Sequence, residues 1–531
     1  FWLKTIYLCC KIKQKFLMKN KPNIIIFNPD QWRGDMLGYL GYPGAQTPNL
    51  DNIIKEDAVA FKNAFCQATV CTPSRCSFMT GWYPHVHGHR TMHYMLHTDQ
   101  GDSSILSELK NKDYFIWWGG KNDLIAGQEG YRNHCDIYFE PTERDFQKWD
   151  YTQQPGTHGG DLSWRGPEDG DNYYSFFKGK LDKKDKDIYF DDDWSMVYGA
   201  LDFIKDYKQE KPFCLFLPLG YPHPPYCVED PWFSSIDRSV IPNRYQYKTW
   251  EDKPSLLKGI MDGQRMQDWT DERWNELRAV YLGMCARVDY QFGLLVNQLK
   301  ENNLYDDTLI IFLSDHGDFT GDYNLVEKTQ NTFQDCLTNV PLIIKPPKSE
   351  NTLNGVSDTM IELIDIAGTI YDYSNIEPSY WHFGKSIKNF IEQKTDNHRE
   401  EVFTEGGRLR LERQASENQS LQLPHGLYYP RVSLQGQEDE ILMHTKATMC
   451  RNKKFKYIKR AYEKDEFYNL IEDPGEINNV IDDPQYASEL KKLKDKMLSW
   501  YQETCDVVPV SYTHLRAHET VLDLVCRLLL E

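Results

Sequence analysis

Residues 71–75, Cys-Thr-Pro-Ser-Arg, place a thiol four residues before a cation. Pro73 suits the first turn of a helix, where no backbone N–H is needed. If Cys71 opens that helix, it sits at the positive end of the helix dipole. Arg75 then lies one turn on, on the same face. The pattern reads as a reactive thiol beside a cation, against the bland reading of a lone cysteine as a small buried hydrophobe. Two more pairs carry chemistry. Asp30-Gln31 follows the apolar run at 23–27, and Asp315-His316 follows the run at 308–313. Ligands of open α/β sheets bind beyond the carboxyl ends of the strands, so both pairs fall at one sheet edge. Asp, Gln, Asp and His suit a hard or borderline divalent ion. Either pair alone would read as helix caps or turn residues; beside Cys71 they read as a metal centre.

Such a centre needs a sheet to assemble it. "NIIIF" (23–27), "DYFIWWGG" (113–120), "FCLFLPLG" (213–220) and "TLIIFLSDHGD" (308–318) are short apolar runs of the kind found in buried parallel strands. Between them lie the helical patterns "SSILSELKN", "SMVYGALDFIKDY" and the long "ERWNELRAVYLGMCARVDYQFGLLVNQLK". The alternation predicts an α/β fold with a large doubly wound sheet flanked by helices. Residues 145–192, rich in Gly, Asp, Trp and Tyr, break the rhythm and read as a long surface insertion. After residue 400, "EEVFTEGG", "KFKYIKRA" and "DEFYNLIEDPGEINNV" predict short antiparallel strands, and "ASELKKLKDKMLSWYQET" an amphipathic helix. This gives a smaller α+β subdomain over 401–510.

The chain has 531 residues and a formal charge of −18. So acidic a chain is a poor general binder of nucleic acid or anionic membrane. An anionic substrate would need local positive charge. Thirteen cysteines, an odd number without zinc-type spacing, argue against a disulfide framework and for a reducing, cytoplasmic setting. No apolar run reaches the ~18 residues of a membrane-spanning helix. Residues 1–17 lack the pattern of a signal peptide and read as a segment upstream of the folded chain, and 511–531 read as a non-native tail.

"CTPSR" matches the C-x-P-S-R signature of the sulfatase family, within the alkaline-phosphatase-like superfamily. "KPNIIIFNPDQWRGDMLGYLG", "TPNLDNI", "TGWYPHVHG", "GGKNDL", "LSDHGDFTGDYNLVEK", "NVPLIIK" and "EFYNLIEDPGEINN" resemble the same family, in its order, over residues 21–505. The resemblance implies an alkaline-phosphatase-like fold with a catalytic domain over 18–400. It implies that a maturation enzyme oxidises Cys71 to Cα-formylglycine. The hydrated aldehyde then attacks sulfur in line with the leaving alcohol, and its second hydroxyl expels sulfate. It also implies a divalent metal, Ca²⁺ first, with Mg²⁺ or Mn²⁺ as alternatives, held by Asp30, Gln31, Asp315, His316 and the modified Cys71. Arg75 resembles the residue that orients the formylglycine, and Lys121 and Lys328 the two that contact sulfate. His223 matches a substrate-facing histidine, a candidate general acid. Many sulfatases carry Asp-Asp and Asp-Asn where Asp30-Gln31 and Asp315-His316 stand. The variants here resemble the branch with phosphonate monoester hydrolases and some choline-type sulfatases. Asp123 replaces a motif histidine that helps eliminate sulfate, so Asp123 or another group must do that work.

The expected activity is sulfate-ester hydrolysis on a sulfated carbohydrate or another small ester. Two alternatives remain: a phosphonate or phosphate mono- or diester hydrolase on this scaffold, and a non-catalytic binding protein. Around the site, His85 and His87 read as a turn rather than a chelate, His89 and His93 as a pocket-lining loop, Cys76 as packing, and Trp117-Trp118 as core strand.

Overall fold

The computed structural model describes residues 21–127, 130–151, 163–182, 188–349, 352–409, 412 and 443–505. The segments 1–17 and 511–531, and parts of 145–192 and 401–510, lie outside the described residues. The strands are β1 (Asn23–Pro29), β2 (Val59–Phe65), β3 (Phe115–Gly119), β4 (Ile137–Phe139), β5 (Phe177–Lys180), β6 (Phe213–Leu219), β7 (Tyr226–Val228), β8 (Thr308–Leu313), β9 (Leu342–Lys345) and β10 (Gly355–Glu362), then β11 (Val402–Gly406), β12 (Ala447–Arg451), β13 (Phe455–Arg460) and β14 (Glu466–Asn469). The helices that matter for the site are α1 (Pro48–Glu56), α2 (Cys71–Thr80), α3 (Ile105–Asn111), α4 (Asp192–Asp206), α5 (Asp271–Glu301), α6 (Asp365–Ser374) and α7 (Ala487–Thr504).

Eight strands form one sheet in the order β10-β2-β9-β8-β1-β6-β3-β4. β1 lies at its centre, parallel to β6 and β8. β9 alone runs against its neighbours β2 and β8, so the sheet is mixed. Side-chain alternation along β1 explains its all-apolar sequence. Ile25 and Phe27 enter the core under α1, α4 and α5, while Ile24 and Ile26 enter the core under α2, α3 and α6. A strand covered on both faces has no polar side to show.

β11 to β14 form a separate antiparallel sheet in sequence order. α7 covers it, and Trp500 of α7 stacks on Phe403 and meets Tyr83 edge-on. The small sheet is thereby sealed to the chain just after α2. The described part of the insertion at 145–192 contains regular structure. β5 pairs with β7, and Tyr173, Tyr174 and Phe176 are buried. Phe176 joins the core under α1, α4 and α5, and Phe177 and Phe190 pack against it.

Candidate active site

β1 and β8 run side by side and end together, which brings Asp30 and Asp315 to one point of the sheet edge. Asp30, Gln31, Asp315 and His316 are all buried. Gln31 sits in the left-handed region at φ 68°, a conformation that a side chain normally avoids. Its N–H donates to Asp315 Oδ1 at 3.1 Å, and Tyr281 Oη donates to its carbonyl at 2.7 Å. After His316, a Cβ on Gly317 would lie 1.9 Å from the Cys336 carbonyl, so only glycine lets the chain pass.

Cys71 is the first residue of α2, a helix buried along its whole length. Ser74, one turn in, donates to the Asp315 carbonyl at 2.5 Å. Arg75 bridges the two acids, with Nε 2.8 Å from Asp315 Oδ2 and Nη2 3.0 Å from Asp30 Oδ2. Lys121 Nζ takes Asp30 Oδ2 as well, at 2.6 Å. The cations thus hold the Oδ2 atoms, while Oδ1 of Asp30 lies 3.6 Å from Cys71 Sγ. His316 Nε2 lies 3.2 Å from Cys71 Sγ and 3.6 Å from Asp30 Oδ1. Because His316 Nδ1 is 2.9 Å from the Gly317 carbonyl, which can only accept, Nδ1 carries the proton and Nε2 keeps a lone pair. One ligand atom each from Asp30, Cys71, Asp315 and His316 lies within 4.8 Å of the others. Two carboxylates, an imidazole lone pair and a sulfur-bearing residue converging in this way suit a divalent cation.

Electrostatics agree with that reading. Burial alone would raise Asp30, yet Lys121 and Arg75 hold it well below the usual carboxylate range. Burial lowers His316, so its ring is biased toward the neutral form. Burial, then Asp30, pushes the Cys71 thiol up. The free thiol is therefore protonated at neutral pH and a poor nucleophile as it stands.

Gln31, expected among the metal ligands, has a hydrogen-bond partner at each end of its amide. Lys328 Nζ donates to its Oε1 at 2.6 Å, and its Nε2 donates to Asp318.

A cavity of about 640 Å³ opens over Cys71. Lys121, Asp123, His223 and Lys328 line it together with Cys71. Gly120, at φ 122° and pressed on the Pro218 carbonyl, turns the chain after β3 and delivers Lys121. Asp123 Oδ2 is 2.9 Å from Lys121 Nζ. Despite burial, Lys121 keeps that carboxyl ionised and below its ordinary range. His223 Nδ1 donates to the Pro224 carbonyl at 2.7 Å. Burial, then Lys328 and Lys121, drives its pKa well below 6.5, so the free ring is neutral and its Nε2 is an acceptor.

The remaining walls come from distant parts of the chain: Met92, Tyr138, Asp192 and Met196. Met92, not His89 or His93, represents its loop there. His85 is taken by the C-terminal subdomain, with Nδ1 2.6 Å from Glu405 Oε1 and Nε2 3.0 Å from Thr504 Oγ1. His87 stacks on Trp82, at a centroid distance of 3.9 Å. Cys76, Trp117 and Trp118 are buried. Asp318 and Tyr226 were not singled out from the sequence. The spacing of Asp318, three residues after Asp315 in "DHGD", is the one signal that pointed to it.

The sulfatase family profile matches residues 22–376, two thirds of the chain. The chain belongs to the sulfatase family. This sulfatase, a sulfuric ester hydrolase of the alkaline-phosphatase-like superfamily, is 25% identical to the multifunctional alkaline phosphatase superfamily protein PehA of Trinickia caryophylli, over 94% of this chain and 98% of that one. It is 24% identical to an arylsulfatase of Clostridium perfringens, over 89% and 93%. Its fold matches the phosphonate monoester hydrolase of Agrobacterium radiobacter with a TM-score of 0.70 at 20% identity, over 91% and 96% of the two chains.

Proposed function

We propose that this sulfatase hydrolyses a sulfate ester of a carbohydrate or other small alcohol, through a formylglycine made from Cys71. The observation that carries the reading is the placement of Cys71 at the floor of a cavity, against Asp30, Asp315 and His316, with Arg75 and Lys121 beside it. A raised thiol pKa makes direct attack by sulfur a poor route, whereas a hydrated aldehyde supplies a hydroxyl at the same carbon. A maturation enzyme that reads the Cys71-to-Arg75 motif is the partner this requires.

Asp30, Gln31, Asp315, His316 and the oxidised Cys71 would hold one divalent cation, and their mostly oxygen donors favour Ca²⁺, with Mg²⁺ or Mn²⁺ accommodated. When bound, that cation adds positive charge where the sulfate oxygens and the attacking hydroxyl gather. The chain's own groups do the rest. Lys121 and Lys328 bind the ester's anionic oxygens, which supplies the local positive field an acidic chain needs. Arg75 fixes both carboxylates, and its Nη1, buried without an acceptor among the described residues, has a hydrogen bond to give a residue-71 oxygen. One diol hydroxyl gives up its proton as it attacks sulfur, the S–O bond to the alcohol breaks, and the alcohol oxygen takes a proton. His223, once protonated in the substrate complex, is the donor. The second hydroxyl passes its proton to a base in the cavity, the bond from carbon to the sulfate oxygen breaks, the aldehyde re-forms, sulfate leaves, and water adds to the aldehyde to restore the diol.

A second reading, hydrolysis of phosphonate or phosphate esters, is favoured by the neutral Gln31 and His316, which stand where acidic or amide partners are common in the family. Matured protein assayed against 4-nitrophenyl sulfate, phenyl phenylphosphonate and 4-nitrophenyl phosphate separates the two. The highest kcat/KM is expected on the sulfate ester; a higher value on the phosphonate would put the second reading first. Hydrolysis of none by protein carrying formylglycine would leave a binding function.

A further inference from the structure

A closed circuit of hydrogen bonds lies behind Lys328. The Glu327 N–H donates to Tyr226 Oη at 2.9 Å. Tyr226 Oη, having accepted, donates onward to the Asp318 carboxylate, 2.8 and 2.9 Å from its two oxygens. The Thr320 N–H, at 2.5 Å, and Gln31 Nε2 complete that carboxylate's donors. Gln31 Oε1 then accepts from Lys328 Nζ at 2.6 Å. Lys328 is the residue next to Glu327, where the circuit began, and its ammonium is also 2.9 Å from Glu327 Oε1. Every member is buried.

Donor and acceptor types fix the direction. An ammonium can only donate, so Oε1 of Gln31 must face Lys328 and Nε2 must face Asp318. We propose that Asp318 and Tyr226 are positioning residues for Lys328, acting through Gln31, and that Asp318 is the reason position 31 holds an amide. A carboxylate at position 31 would meet the Asp318 carboxylate at hydrogen-bond distance, out of water, where like charges repel strongly. The acid familiar at this place in many relatives has no room here because a neighbouring acid already stands behind it. This assignment rests on Lys328 being a sulfate-binding cation.

A charge swap tests it. Q31E lowers kcat/KM by about 100-fold or more, through repulsion with Asp318 and a displaced Lys328. Adding D318N exchanges donor and acceptor across the pair, and Q31E/D318N recovers at least about tenfold of that loss, although D318N alone is harmful. Y226F, which keeps the ring and its packing, raises KM and the inhibition constant for inorganic sulfate about tenfold with a smaller fall in kcat. A merely structural role would lower the melting temperature and leave the sulfate constant of the folded enzyme unmoved. An active wild type whose Q31E variant gains nothing from D318N, or whose Y226F variant binds inorganic sulfate normally, overturns the assignment alone. A wild type, confirmed to carry formylglycine, that hydrolyses none of the esters overturns the functional reading and the assignment with it.

Discussion

Lys121 and Asp123, two residues apart, form a 2.9 Å ion pair on the cavity wall. The pair has a cost for an anionic substrate, because Asp123 is held ionised beside the ammonium meant for sulfate. A carboxylate in that state has no proton to donate, but it can accept one from a diol hydroxyl. Its effect is to temper Lys121. D123N should therefore bind inorganic sulfate more tightly, by about tenfold. Weaker binding, by calorimetry or product inhibition, would mean that Asp123 orients Lys121 rather than opposing it.

Arg75 spans two carboxylates at once, which a point charge cannot do. R75K should keep the net charge and still lose most activity. R75A should cost about 3–5 kcal/mol in denaturant unfolding, since it leaves Asp30 and Asp315 buried without their shared cation. A fully active R75K would show that charge alone suffices.

His223 begins neutral because burial and two lysines oppose its protonation. A bound sulfate anion offsets Lys328 and Lys121 and raises its proton affinity. Near pH 6, sulfate binding should take up protons, so the measured binding enthalpy should differ between buffers of different ionisation enthalpy. H223Q should erase the difference. Equal enthalpies for the wild type would remove His223 as the proton donor to the leaving alcohol.

His134 gives a pH dependence of stability that is separate from catalysis. Its ring is fully buried between Ser104 and Thr98, and burial, with Lys110, lowers its pKa to about 4. The unfolded ring titrates near 6.5. Between those values the unfolded chain binds more protons, so stability is full above about 6.5 and falls as pH drops toward 4, by about 3 kcal/mol. H134Q should flatten that slope in urea unfolding across pH 4.5–7. An unchanged slope would place the acid sensitivity elsewhere.

How much of this was legible in the sequence follows from how each contact is made. β1, β6 and β8 are buried on both faces, so each reads as an unbroken apolar run, and the residue after such a run is at the sheet edge by geometry. That logic found Asp30, Asp315 and His316. β2 was not readable, since "VAFKNAF" carries an exposed Lys62 in its middle. β9 is four residues long and antiparallel, too short to mark itself. Family resemblance located Lys121, His223 and Lys328 in the cavity they share. The partners of the Gln31 amide, Asp318 and Lys328, were not legible because they are roughly 290 positions away in the chain, and only folding decides which neighbour an amide meets. Met92, Tyr138 and Met196 come from three separate elements and carry no chemical signature of their own.

The central claim is that residue 71 works as an aldehyde. Peptide mass spectrometry should be made on the tryptic fragment containing position 71, from active enzyme produced with its maturation partner. The expected result is the mass decrease for thiol to formyl, in a fraction that rises in step with specific activity. An unmodified Cys71 in fully active protein would contradict the mechanism, whatever ester the enzyme cleaves.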